Sequence, residues 1–302
     1  MNVPTGEQLV ITDGTARAVI TTTGAGLRSY ETGGVPYTET FGEDEKPPMG
    51  AGAVLVPWPN RVTDATWTFD GEVQHLDVTE EARGNAIHGL VRHAEWTVVE
   101  HTGSLVSLEA GIGAGSGWPV PLRTTISYAL DDNGLTVTHG VTNLGEKTVP
   151  FGVGTHPYVR AGKAETDDCE LTLAARTVLP LDPERMVPSG PARDVAGTEH
   201  DFTSPRSLRG VELDTPFGDC RPGEDGLVHH VLRGADGAVE VWADPEFRWV
   251  QVYTPGNFPG RGRAVAIEPM TCPPDALNSG VDLLHLAPGE TWAGRWGVRP
   301  LA

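Results

Sequence analysis

Four side chains with acid–base or charge-binding chemistry each close a short apolar or glycine-rich run. His156 sits in FGVGTHPYVR (151–160), where Pro157 biases the residue before it toward an extended backbone. Gly152 and Gly154 remove side chains from one face of any strand there, which predicts a cleared face ending in an imidazole; a tight bend packed by Tyr158 fits equally well. Glu268 follows the apolar run AVAI in RAVAIEPMTCPPDALNSG (263–280). Strand alternation puts it on one face with Ala266 and Ala264, and a carboxyl desolvated there is raised toward neutrality, as a general base requires. Pro269, Pro273 and Pro274 are expected to stiffen a loop behind it, although a glutamate opening a loop is ordinarily solvated. His88 lies between Ile87 and Gly89 in NAIHGLVRHAEW (85–96), where a packed core or turn histidine is the plainer reading. Asn60 and Arg61 end GAVLVPWPNRV (52–62), as a solvated turn or as donors to sugar or carboxylate oxygens. Trp58, Trp249 and Tyr253 lie nearby in sequence and would suit the floor of a neutral-sugar site.

The elements that must carry these residues read as strands. The runs at 16–22, 95–101, 104–110, 123–130 and 134–141 are rich in β-branched residues and alternate with period two. So do 169–175, 226–233, 238–244, 249–255 and 291–299. Asn133-Gly134 and Asp236-Gly237 fall between such runs and predict type I′ hairpin turns. Residues 180–225 are punctuated by proline and charge and read as long ordered loops over a sheet face. No segment keeps a helical period. The 38 glycines and 25 prolines imply many turns, and no linker divides the chain. The expectation is one all-β domain over 1–302, an antiparallel sandwich or barrel.

A net charge of −19 repels nucleic acids and anionic membrane surfaces and favours a neutral substrate. Only three of the 22 basic residues are lysine, so no polybasic stretch exists. Cys169, Cys220 and Cys272 form no CxxC pair, which favours a reducing compartment. The first residues, MNVPTGEQLVITDG, show neither a basic start nor an apolar core, so no signal peptide is expected and the cytoplasm is the default location. No apolar run reaches the length of a membrane span. P-loop, GxSxG and HExxH patterns are missing, and GIGAGSG (111–117) fits neither glycine motif. His88 and His93 are five apart, and adjacent His229 and His230 would face opposite ways on a strand, so neither pair is a strong metal set. No metal or cofactor is expected, which leaves acid–base side chains to do any chemistry.

The stretches PWPNRV, NAIHGLVR, THPY, WVQVYTPGNF, AIEPMTCPPDALNSG and LAPGET, spread in order over about residues 52–290, resemble the aldose 1-epimerases, the galactose mutarotase-like family, and most closely a bacterial subgroup of it. The resemblance implies a large antiparallel β-sandwich, the galactose mutarotase-like supersandwich, and an isomerase that interconverts the α and β anomers of a neutral aldohexose. It also implies that Glu268 is the catalytic base, His156 the catalytic acid and His88 a second active-site histidine near the ring oxygen. Arg61 then matches the substrate-contacting Arg of the NR motif beside Asn60, Gln251 a substrate-binding Gln, and Asp214 in ELDTPF an Asp that binds sugar hydroxyls. As acid, His156 is expected to be an imidazolium, raised by a neighbouring carboxylate. The rivals are a sugar-binding module without catalysis and a hexose-phosphate mutarotase. The latter needs more cations than Arg61, Arg83 and Arg92, the basic residues found near the motifs. A monomer or homodimer is expected.

Overall fold

The coordinates are a computed structural model that describes residues 4–235 and 237–301. Antiparallel strands dominate, as the period-two runs predict. A nine-stranded sheet carries, in spatial order, Thr97–His101, Leu105–Ile112, Leu122–Asp131, Gly134–Asn143, Thr291–Leu301, Gly237–Ala243, Val228–Gly234, Glu170–Thr172 and Arg206–Ser207. The strand Leu122–Asp131 shows why these elements form: every second residue is buried and the rest face outward. An eight-stranded sheet has at its centre Asp214–Gly218, Trp249–Tyr253, Val265–Met270 and Gly154–Thr155, with Tyr158–Val159 also paired to Val265–Met270. A four-stranded N-terminal meander completes the larger sheets. One hydrophobic cluster runs through all three, including Ile11, Ile20, Ile126, Val137, Trp296, Val252 and Ile267. The fold is therefore an all-β antiparallel sandwich. Among the described residues the α-helix Ala276–Ser279 is four residues long, and no helix is long and apolar enough to cross a membrane.

The strand Val265–Met270 is buried along its whole length because both of its faces are covered. Val265 and Ile267 enter the main core, whereas Ala264 and Ala266 join a small cluster with Phe41, Tyr158 and Phe258 on the other face. Glu268 shares that second face, as the alternation predicts. The strand does not end at Glu268, however. Pro269 lies inside it, opposite Val250, and is not part of a loop. Its missing N–H has a visible effect. The amide of Ile267 donates to Pro157 O and that of Thr271 to Val153 O, while Pro269 between them has nothing to donate. The partner chain accordingly breaks into Gly154–Thr155 and Tyr158–Val159, with His156 in the gap.

Several local expectations are corrected. The faces of Gly152 and Gly154 are not open. A Cβ on Gly152 would lie 2.3 Å from Cys272 Sγ and 2.9 Å from Pro59 Cδ, and one on Gly154 would lie 2.7 Å from Pro59 Cβ. These glycines admit the Pro59 ring, which anchors the following Asn60 and Arg61. In the first hairpin the turn residues are Asp132 and Asn133. Asp131 pairs with Gly134, and the positive φ of 114° falls on Gly134 rather than on Asn133, so the type I′ assignment fails although the hairpin forms. In the second hairpin Gly234 pairs with Gly237, and Asp236 lies outside the described residues. The stretch 180–225 contains three short strands, Arg193–Asp194, Arg206–Ser207 and Asp214–Gly218. Trp58 packs in the core beside Trp118, and Trp249 packs with Leu179 and Met270; of the three aromatics, Tyr253 lines the cleft described below.

Candidate active site

All seven residues singled out by type and resemblance, Glu268, His156, His88, Arg61, Asn60, Asp214 and Gln251, line one cleft of about 400 Å³. Antiparallel pairing sets the floor: Gln251 lies directly opposite Glu268, and Asp214 opposite Tyr253. Amide N–H groups of Gly52 and His156 donate to His156 O and Ala53 O, tying the break at His156 to the wall formed by residues 50–53.

His156 Nε2 lies 3.3 Å from Glu268 Oε1, and both side chains are almost fully buried. The other two polar atoms of this pair, His156 Nδ1 and Glu268 Oε2, are buried without a hydrogen-bond partner. Buried groups are rarely left unpaired without cause. Burial drives the carboxyl of Glu268 well above its ordinary range, helped by the charge of Asp214 and opposed by Arg61. The expected imidazolium is not what the site favours. Burial pushes His156 down to about 4, and the charge of Arg92 adds to the lowering. Burial thus disfavours both the imidazolium of His156 and the carboxylate of Glu268.

His88 meets His156 edge to face, with ring centroids 5.4 Å apart. Its Nδ1 accepts the amide N–H of Asn60 at 3.3 Å, so a neutral ring carries its proton on Nε2. Burial, then the charges of His156, Arg92 and Arg61, hold its pKa well below 6.5. His88 and Asn60 both have left-handed backbones, φ 64° and 55°, and the His88 N–H donates back to Asn60 O at 2.9 Å. Such conformations cost energy for residues other than glycine, and they bring both side chains to one rim of the cleft. Gly89 is required here because a Cβ would lie 2.2 Å from Val56 O.

A polar chain runs from the rim to the floor. Asn60 Nδ2 donates to Gln251 Oε1 at 3.2 Å, and Gln251 Nε2 donates to Asp214 Oδ1 at 2.6 Å. Arg61 grips Glu80 with two parallel bonds of 2.8 and 3.0 Å, and Arg83 reaches the same carboxylate at 2.9 Å. Burial pushes Glu80 up, but the bonds and charge of Arg61, with Arg83 and Asn85, outweigh it and leave its pKa below the ordinary value. Glu80 was not foreseen. In VTEEARGN it looks like any solvated glutamate, and only the fold brings it to Arg61. A larger cavity of about 680 Å³ beside Leu179, Pro180 and Met186 touches the cleft at Asp214. His200 lines it, but the buried His156–Glu268 pair belongs to the smaller cleft.

A family model described as aldose 1-epimerase matches residues 7–299. An uncharacterized Escherichia coli protein, YihR, is 31% identical over 94% of this chain and 90% of its own. Human galactose mutarotase is 30% identical over 74% of this chain and 66% of its own. Among solved structures, a galactose mutarotase-like protein from Clostridium acetobutylicum superposes with a TM-score of 0.84 at 20% identity, covering 96% of this chain and 94% of that one. An aldose epimerase homologue from C. elegans gives a TM-score of 0.84 at 18% identity, covering 98% and 99%. On the match across nearly its whole length, this chain belongs to the aldose 1-epimerase family.

Proposed function

We propose that the protein is an aldose 1-epimerase that interconverts the anomers of an aldopyranose by opening and closing its ring. The supporting observation is the buried His156–Glu268 contact of 3.3 Å, an acid–base pair with two unsatisfied polar atoms of its own in the cleft. In ring opening, one group takes the C1 hydroxyl proton while another protonates the ring oxygen, and the C1–O5 bond breaks to give the open aldehyde. Rotation about C1–C2 turns the other face of the carbonyl, and the reverse transfers close the ring, so no net proton or electron is consumed. Glu268 as base and His156 as acid is the assignment that the family resemblance carries. Burial favours the protonated form of Glu268, so this assignment needs the proton on His156 before ring opening, a transfer across their 3.3 Å contact that leaves the net charge of the pair unchanged. Asn60, Arg61, Gln251 and Asp214 supply donors and acceptors for the remaining hydroxyls.

Polarimetry of freshly dissolved α-D-glucose and α-D-galactose tests this. Wild-type protein should speed the approach to anomeric equilibrium, and Glu268→Gln should remove most of that rate, since general acid–base groups contribute roughly 10²–10⁴-fold each. Sugar binding by calorimetry with no faster equilibration would make the protein a binding module instead.

A further inference from the structure

Arg92 forms part of the wall between the catalytic cleft and a smaller side cavity of about 220 Å³. Among the described residues its guanidinium has no ion-pair or hydrogen-bond partner, although burial is deep enough to lower its pKa. Arg92, His93, Thr21 and Thr23 form the polar part of the side cavity, with Phe41, Pro47, Ala51 and Ala53 as its apolar part; no Asp or Glu lines it among the described residues. Lys46 stands close enough that its charge, after burial and Arg92, lowers the pKa of His93. In a molecule of net charge −19, a recess with a free arginine, a histidine, a nearby lysine and no carboxylate reverses the prevailing sign. The backbone is shaped for it. Gly24 has φ 75°, and a Cβ there would lie 2.4 Å from Arg92 O, so the glycine lets residue 92 seat against the meander.

We infer that this side cavity is an anion subsite and that the aldose turned over carries a phosphate or carboxylate on its exocyclic carbon. The inference rests on the proposed epimerase reading, because that reading fixes the sugar's orientation. The ring oxygen must lie at the histidines, and C5, with its exocyclic C6, is bonded to that oxygen. Gly50 lines both cavities and abuts His156, since a Cβ on it would lie 3.1 Å from His156 Cδ2. With the ring oxygen at His156, a C6 substituent has a path from the cleft into the side cavity past Gly50 and Arg92, which line both. The expectation of a neutral sugar rested on the global charge, which this local arrangement overrides: Arg61 and Arg83 are paired with Glu80, and Arg92 is left for the substrate.

Anomer exchange, followed by NMR, should be measured on glucose, glucose 6-phosphate and glucuronate with wild type, Arg92→Gln and Arg92→Lys. The expected result is a kcat/KM for at least one anionic sugar about 10-fold or more above that for glucose. Arg92→Gln should collapse that preference mainly through KM, and Arg92→Lys should restore part of it. Which anion leads separates a phosphate from a carboxylate subsite. Wild type that handles glucose as well as both anions overturns the inference while leaving the epimerase reading intact. If no sugar is turned over, the epimerase reading fails, and calorimetry with the same three sugars decides the subsite: tighter anion binding lost in Arg92→Gln supports it, and equal affinities overturn it. Should Arg92→Gln not fold, the wild-type comparison decides alone.

Discussion

A glutamate held 1% exposed on a cleft floor destabilises the protein at neutral pH. Its folded pKa lies above its unfolded one, so its favourable contribution is complete below about 4.5 and is lost as pH rises through the raised value. Glu268→Gln removes that penalty. The variant should melt higher than wild type at pH 8, with the gap closing at pH 4, even as its activity falls. A melting curve unchanged at both pH values would show that Glu268 is not strained by its burial. The two histidines should also separate. His156 contacts Glu268, whereas the Nδ1 of His88 is already taken by Asn60, so His156→Asn should lower the polarimetric rate more than His88→Asn. The opposite order would move the proton to His88. Asn suits this comparison because it tolerates the left-handed backbone at position 88.

The strand is where sequence was most readable. Alternation in AVAIE placed Glu268 on the face of Ala264 and Ala266, and the packing of those alanines away from Val265 and Ile267 agrees. The proline after it was misread as the end of the strand because pairing on one side can continue past a missing N–H. Gly152 and Gly154 predict a cleared strand face, yet that space is filled by Pro59. A short local window shows that a side chain is missing but not what fills the gap. Glu80 was invisible as a site residue for the same reason: a glutamate in VTEEARGN looks solvated until the fold brings it to Arg61. Gly152→Ala should destabilise by about 1–3 kcal/mol in urea titration, since the added methyl meets Cys272 Sγ and Pro59. It should also lower activity by shifting Asn60 and Arg61. Gly111→Ala is the control. It lies on an exposed strand position with nothing within 4 Å of the added Cβ, and it should be neutral or slightly stabilising. Equal effects of the two would remove the packing role assigned to Gly152.

Across the whole molecule, four histidines are buried in their neutral form. Burial pushes His139 and His230 to about 3 and His156 to about 4, and lowers His88 well below 6.5. Each group's stabilising contribution is complete above 6.5 and is lost as pH falls toward its folded value, at up to about 1.4 kcal/mol per pH unit. Glu268, Glu39 and Asp214, whose pKa values are raised, act in the opposite sense above about pH 4.5. The melting temperature should therefore decline gently from pH 6.5 to 4.5 and steeply below, where the carboxyl effects have ended; a melting series flat to pH 3.5 would contradict this. The net charge of −19 has a consequence for kinetics as well. An anionic sugar approaching the protein is repelled at long range before it meets the cationic recess at Arg92. Raising ionic strength from about 0.01 to 0.1 M shortens the Debye length from about 30 to about 10 Å, which screens the distant acidic surface more than a partly buried contact. Encounter should then speed up with added salt before further salt weakens binding, giving kcat/KM for such a sugar a maximum at intermediate ionic strength, while the value for glucose stays level.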